Sequence, residues 1–486
     1  MYWANFLHIY QPSGQQPDIL EAVVAQSYRP LIAGILKNPR AKLTLNVTGA
    51  LLELFDKHGY FDLIDDLKAA GTAGQIEFTG SAKYHTLLPF LSPDDIIHQI
   101  KINDETSRFY LGRAYNPRGF FPPEMAYHPK LAPILASLGY SWVIIDEIAF
   151  NGQVEKVDYT KTYKVKGTSL RVFFRERRLS NLIMSAAVRN CGSLKEALGS
   201  GLHSSRYVIT GMDGETFGHH RPGLENLLFE IFIDPAFHLL TISQLSDLYP
   251  KPLSVKPLIS TWASSEQNID DKSQFLSWKD PKNAIHELQW KLYNLALNLS
   301  KNTDREKMDI ASASDHFFWA SAKPWWSLEM IEEGAYRLLD VIESVPHVDL
   351  TLLVQAKNYY QQIISVAFDW QRHNRVRKLS REQKSLMRIP FKDRTLAVGG
   401  EQETVFFAFL DMMKKQEEKA VQNQEYESAI MWRDAIYELQ NKLDIYDTVH
   451  AVDLLRVTVG NSQMEKVIQQ YKAQYHKIRS GQPEQR

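Results

Sequence analysis

Five short segments concentrate the side chains that could do chemistry. His8-Ile9-Tyr10-Gln11-Pro12 closes an apolar run at the start of the chain. Glu77 lies in a second run and is followed by Tyr84-His85. Phe121-Pro122-Pro123-Glu124-Met125 ends a third, Asp146-Glu147 a fourth, and Met212-Asp213-Gly214-Glu215-Thr216-Phe217-Gly218-His219-His220 a fifth. Paired carboxylates among histidines and aromatics suit cleavage of a glycosidic bond. One acid must protonate the leaving oxygen, and a second must attack the anomeric carbon or activate water. Metal-dependent deacetylation of a carbohydrate is the competing chemistry, and it needs a clustered Asp and two His, commonly with a His-x-x-x-His pair. His203 and His219 are too far apart for that pair, and His219-His220 are adjacent. No metal and no cofactor is therefore expected.

Groups so far apart in sequence need strands that deliver them to one rim. Apolar runs at 2–8, 42–47, 75–79, 119–121, 142–145 and 207–210 read as short buried strands. Helical patterns at 19–28, 50–58, 94–110 and 129–138 alternate with them. The third of these has clear start signals: Ser92 as N-cap, Pro93 at the first position, and Asp94 and Asp95 facing the dipole. Such alternation implies an α/β fold with a parallel sheet, and the number of units favours a barrel over a doubly wound sheet. In a barrel, reactive groups belong at the strand C-termini. From residue 282 helical periodicity takes over, at 283–298, 328–342, 350–368, 404–422 and 428–443. Residues 1–281 are thus expected to form a barrel and 282–486 a mostly helical domain.

Composition narrows the classes further. A chain of 486 residues allows two or three domains. With 56 Lys and Arg against 57 Asp and Glu, its net charge of −1 argues against nucleic acid or an anionic membrane as a partner. The single cysteine, Cys191, excludes an intrachain disulfide and a thiolate zinc cluster, and fits a reducing compartment. The start of the chain has no basic n-region and no small-residue cleavage site, and no 18 apolar residues run without charge. A cytoplasmic protein with no spanning helix is the default expectation. Aromatic residues make up 11% of the chain, enough to serve either a core or stacking on sugar rings.

The motifs, taken in order, resemble those of glycoside hydrolase family 57, whose members act on α-glucans and related α-linked sugars. His8-Ile9-Tyr10-Gln11-Pro12 resembles the first, in the variant with two residues inserted. Gly74-Gln75-Ile76-Glu77, continuing to His85 and Leu88-Pro89, resembles the second. Gly119-Phe120-Phe121-Pro122-Pro123-Glu124-Met125-Ala126-Tyr127 is similar to the third, Asp213-Gly214-Glu215-Thr216-Phe217-Gly218 to the fourth, and Ser314-Asp315-His316-Phe317-Phe318-Trp319 to the fifth. The resemblance covers about residues 1–345. It implies a distorted (β/α)7 TIM-like barrel followed by a helical domain that reaches the active-site rim with Asp315 and Trp319. It also implies a retaining glycosidase of α-1,4-glucans, with α-1,6 linkages also in range; 4-α-glucanotransferase or branching activity is the alternative use of the same residues, α-galactosidase activity a more distant one, and a non-catalytic glucan-binding protein another.

By the same resemblance, Glu124 is the nucleophile and Asp213 the general acid/base. His8, Gln11, Glu77, His85, Glu215 and Asp315 contact sugar hydroxyls, with Glu77 and Glu215 alternatively bracing the pair. Trp262 and Trp319 are the expected stacking platforms. Asp213 must hold a proton, which burial or the nearby Glu215 would supply by raising its pKa. One departure is visible: the family often has Trp three residues before the nucleophile, and Phe121 stands there. Asp146-Glu147 read as rim carboxylates without a chemical role, Trp290, Trp325 and Trp326 as helix packing, and Cys191 as inert. Residues 426–436 are similar to a helical-hairpin motif of bacterial excision-repair subunits and chaperone adaptors. Ordinary helix packing is the preferred account of it; self-association or a protein partner is the other.

Overall fold

Tyr2–Ile9 (β1) is apolar at nearly every position, so both its faces must be covered, the demand a central parallel strand makes. The computed structural model describes residues 1–302, 305–323, 325–387, 401–441 and 445–479. In it β1 pairs in parallel with Leu43–Val47 (β2) on one side, and β2 in turn pairs with Ile76–Phe78 (β3). A second sheet runs from Gly119–Phe120 (β4) through Trp142–Asp146 (β5) to Arg171–Arg175 (β6), again in parallel. Tyr207–Asp213 (β7) lies on the free side of β1. Two seams close the ring. Gly80 pairs in parallel with Phe120, and the Glu176 N–H donates to the Ile209 carbonyl at 2.8 Å.

The result is the distorted seven-stranded barrel. Hydropathy does not reveal β6, because arginines at both ends leave only Val172-Phe173-Phe174 as an apolar run. No α-helix links β5 to β6 either, only the single turn Glu147–Ala149; a short strand, Tyr163–Val165, returns antiparallel to β6.

Local signals hold as read. Ser92 accepts the Asp95 N–H and starts Pro93–Leu111, and Thr48 caps Gly49–Lys57 by accepting the Leu51 N–H. One helix bears on the expectation that no segment spans a membrane. Pro17–Lys37 is a continuous helical run of 21 residues with a window of mean hydropathy 1.3, long and apolar enough to cross a membrane. Leu20, Val23, Tyr28, Leu31 and Ile35 are instead buried on the outer side of β1 and β2, in one core with Trp3, Leu7 and Leu43.

Among the described residues the last strand is Leu253–Val255, and after the short helix Glu266–Asp270 long helices follow from Ala284–Leu299 onward. The barrel's inner apolar residues, among them Ala4, Phe6, Phe121 and Ile209, share one continuous core with Phe317, Leu338, Ile363 and Trp370 of the helices. This shared core fixes Asp315 against the rim. A separate core containing Phe409, Met413, Trp432, Leu455 and Ile468 binds the last helices to one another. Glu401–Gln422 and Tyr426–Asn441 form the expected hairpin there. Arg189 ties this cluster to the barrel through Glu465 at 2.6 Å.

Candidate active site

β4 ends in Phe121-Pro122-Pro123, and the prolines deliver the chain into a single tight turn, Pro123–Met125. Glu124 stands there with φ of 62°, a left-handed conformation rare for any residue with a side chain and found where surrounding packing enforces it. Its Oε2 accepts the indole N–H of Trp262 at 2.7 Å. The Trp262 backbone N–H donates to the Glu124 carbonyl. Trp262 thus supplies an indole to Glu124 although Phe121 stands three residues before it. The Trp262 indole N–H is committed to Glu124. Burial first, then the charges of Asp213 and Asp315, push the Glu124 carboxyl up to about 8.

Asp213 ends β7, in register with His8 of β1. Burial pushes its carboxyl up to about 6, opposed by the Arg175 guanidinium. The expectation that Glu215 raises Asp213 is corrected. Burial raises Asp213, and Glu215 is itself raised to about 7 by burial first and then by the Asp213 charge. Glu215 is braced by hydrogen bonds from Tyr28 Oη, from the Tyr10 N–H at 3.3 Å and from Gln11 Nε2 at 3.4 Å. Gln11 and Glu215 therefore stand together behind Asp213.

His8 and His85 form a directed relay. His8 Nδ1 meets Asn46 Oδ1 at 2.8 Å, His8 Nε2 meets His85 Nε2 at 3.2 Å, and His85 Nδ1 meets Ser314 Oγ at 3.0 Å. Asn46 Oδ1 is an acceptor only, so His8 carries its proton on Nδ1. His85 must then donate from Nε2 and accept from Ser314. Burial lowers the pKa of both rings, His8 to about 4, which keeps them neutral. His85 Nε2 also lies 3.9 Å from Glu124 Oε1. Tyr10 stacks on His85 with centroids 4.2 Å apart and donates its Oη–H to Asp315 Oδ2 at 2.7 Å. Asp315, from the helical region, is raised to about 6 by burial.

One expected contact falls elsewhere. Glu77 lies in register with Thr44, whereas the His8 layer contains Asn46. Its carboxylate turns away from that layer to the Ser243 N–H at 3.0 Å and the hydroxyls of Ser243 and Thr44. It anchors the helix Ile242–Leu248 at the start of the strands and does not join the site. Trp319 sits half-buried beside Phe318 and edge-on to Trp325, 5.7 Å between centroids. Sequence reading missed Tyr10, Tyr28, Asn46 and Ser314 as partners, though Tyr10 and Ser314 stand inside quoted motifs. It also missed Arg175 and Arg177, which belong to the unread β6 and the residues after it. Beside Trp262, the loop lines a cavity of about 400 Å³ with Ser264, Asn268, Ser277 and Trp278.

The model of glycosyl hydrolase family 57 matches residues 4–251, more than half of the chain and both Glu124 and Asp213. The chain belongs to this family. An α-amylase of Pyrococcus abyssi is 24% identical over 276 residues, 54% of this chain and 41% of the relative. A 4-α-glucanotransferase of Thermococcus kodakarensis is 25% identical over 287 residues, 55% of this chain and 43% of the relative. The matched part thus spans under half the length of these curated relatives. Among solved structures, the 4-α-glucanotransferase from Thermococcus litoralis superposes with a TM-score of 0.57 at 19% identity, covering 70% of this chain and 59% of that one. The family 57 branching enzyme from Pyrococcus horikoshii gives 0.55 at 17% identity, covering 74% and 94%. These two share the fold.

Proposed function

We propose that this family 57 chain is a retaining glycoside hydrolase of α-glucans, cleaving α-1,4 and also α-1,6 linkages, with residues 1–281 as its catalytic unit and 282–486 completing the rim. Asp213 gives its proton to the glycosidic oxygen while the Glu124 carboxylate attacks the anomeric carbon, and the released sugar leaves as an alcohol. Water then attacks the glycosyl ester, with Asp213 taking its proton. One observation carries this reading: two partly buried carboxylates just past β4 and at the end of β7, Glu124 raised by burial and by the Asp213 charge and fixed by an indole N–H. The lining beside Trp262 is mostly hydroxyl, amide and aromatic, with one cation, Lys323, paired to Asp280 at 2.7 Å, and such a lining suits a polyhydroxylated chain. The α-amylase and 4-α-glucanotransferase relatives make glucosyl transfer through the same ester the second reading. A product time course from maltoheptaose, with Glu124→Gln as control, tests both. Only shorter sugars, released in the α-configuration, support hydrolysis; longer sugars appearing alongside them favour transfer; no turnover sinks the substrate class.

We read the location as cytoplasmic, supported by the lone Cys191, whose thiol burial pushes up to about 12. The hairpin presents Tyr426, Ile430 and Met431 to solvent, which supports contact with a second copy of the chain. Sedimentation velocity of wild type and Ile430→Lys tests this, and a wild type that stays monomeric across concentrations would end it.

A further inference from the structure

Asp146 closes β5 fully buried, and its carboxylate holds two arginines from the β6 end. Arg175 Nη1 reaches Oδ2 at 2.9 Å and Arg177 Nη2 reaches Oδ1 at 2.6 Å. Rim carboxylates without a role would be solvated, whereas this one is at 0% exposure. A buried ion pair adds little net stability over apolar packing, so its placement is better explained by what it orients.

The two arginines point to different reacting groups. Arg175 Nε donates to the Gly211 carbonyl at 2.6 Å, two residues before Asp213. A Cβ at position 211 would come within 3.3 Å of Arg175 Cγ, so glycine lets the arginine lie across β7. Arg177 forks instead onto the next loop, with Nη1 to the Ser264 carbonyl at 2.6 Å and Nη2 to the Trp262 carbonyl at 3.2 Å. Its own N–H is held by Glu147 Oε1 at 2.8 Å. Trp262 is the residue whose indole N–H grips Glu124.

We propose that Asp146, through Arg175 and Arg177, is a shared positioning residue: the Arg175 arm sets the surroundings of Asp213, and the Arg177 arm seats Trp262 and through it Glu124. This rests on the proposed roles of Glu124 and Asp213. Those two, with Glu215, Arg175 and Tyr28, are the charged or titratable groups around Asp213, and His8 adjoins it in register. Only Arg175 among them opposes its rise.

The test is a pair of pH–rate profiles with a readout that needs no turnover. Arg175→Met removes the cation and should move the acid limb of kcat/KM, set by Asp213, upward by about one unit. Arg177→Met should leave that limb in place, move the alkaline limb upward and lower kcat/KM at neutral pH by about tenfold or more, as loss of the Trp262 N–H would. The lysine variants carry the test if the Met variants do not fold. Arg175→Lys keeps the charge and should keep the acid limb, while Arg177→Lys loses the two-carbonyl fork and should still move the alkaline one. In parallel, Asp213 is titrated by NMR of carboxyl-labelled protein, assigned with Asp213→Asn, in wild type and Arg175→Met. An unmoved Asp213 titration, or Arg177 variants that lose activity equally at every pH, would overturn the proposal. A wild type without glucan turnover would sink the functional reading instead, and leave the NMR arm to judge the Arg175 contact.

Discussion

Trp262→Phe isolates one hydrogen bond. Phenylalanine keeps an apolar ring against Phe121, 6.0 Å away, and removes the N–H that Glu124 Oε2 accepts at 2.7 Å. A hydrogen bond to a charged group contributes about 1.5–3 kcal/mol, which at about 1.4 kcal/mol per unit raises the Glu124 pKa by about 1–2 units. The consequence for rate follows from the order of titration. With Glu124 near 8 and Asp213 near 6, the single proton between them stands mainly on Glu124. The reactive arrangement, Glu124 ionised and Asp213 protonated, is the minor tautomer. Weakening Glu124 as an anion makes it about 10–100 times rarer, so kcat/KM near pH 7 should fall by about that factor. The alkaline limb, set by loss of the Glu124 proton, should move upward by the same 1–2 units or so. Above that limb Glu124 is ionised in both proteins, so the two profiles should converge there. Initial rates on maltoheptaose from pH 5 to about 10.5 check all three features. A uniform loss at every pH would mean that Trp262 acts as a sugar platform and not through its N–H, and would refute the reasoning.

Further outcomes follow from the same geometry. With α-glucosyl fluoride and azide, Glu124→Ala should yield the β-glucosyl azide and Asp213→Ala the α-azide, read by NMR; the same anomer from both would reject double displacement. Asp213→Ala should also slow cleavage of unactivated glucans by about 10²–10⁴-fold. Because burial raises Glu124 above its ordinary 4.5, the stability of the fold that depends on its protonated form is present below about pH 4.5 and is lost as pH rises through about 8. Glu124→Gln should therefore melt higher than wild type at pH 8, with the gap closing below pH 5, as scanning calorimetry would show. EDTA should leave turnover unchanged, since the His8 and His85 ring nitrogens are spent on Asn46, Ser314 and each other; loss on chelation would favour the deacetylase chemistry.

What was legible in the sequence separates along physical lines. β1 and β5 are buried on both faces, so their composition alone marks them. β6 escapes because Arg175 is itself buried and Arg171 partly so, and hydropathy counts a buried cation as surface. Glu124, Asp213 and Asp315 follow from ordered motifs, each at the end of an element. Glu77 shows the limit of that approach: a polar residue inside a barrel faces one layer or the next according to register, and a shift of two residues sends its carboxylate to Ser243 instead of the sugar. The groups that tune the pair were harder to see, because their roles depend on contacts across long sequence separations.

Those tuning groups explain an apparent contradiction in the resting site. Retaining cleavage needs the proton on Asp213, yet Arg175 favours its loss there, and burial keeps it on Glu124. If proton affinity alone mattered, removing Arg175 would improve the enzyme. Arg175 also holds the Gly211 carbonyl and, through Asp146, the arginine that seats Trp262. The minor tautomer is then tolerable for a chemical reason. An Asp213 that is a stronger acid gives its proton more readily to a departing oxygen, and a Glu124 that is a more basic carboxylate attacks more readily. On the proposed mechanism, the reversed order would trade population for reactivity per molecule, with Trp262 limiting how rare the reactive form becomes.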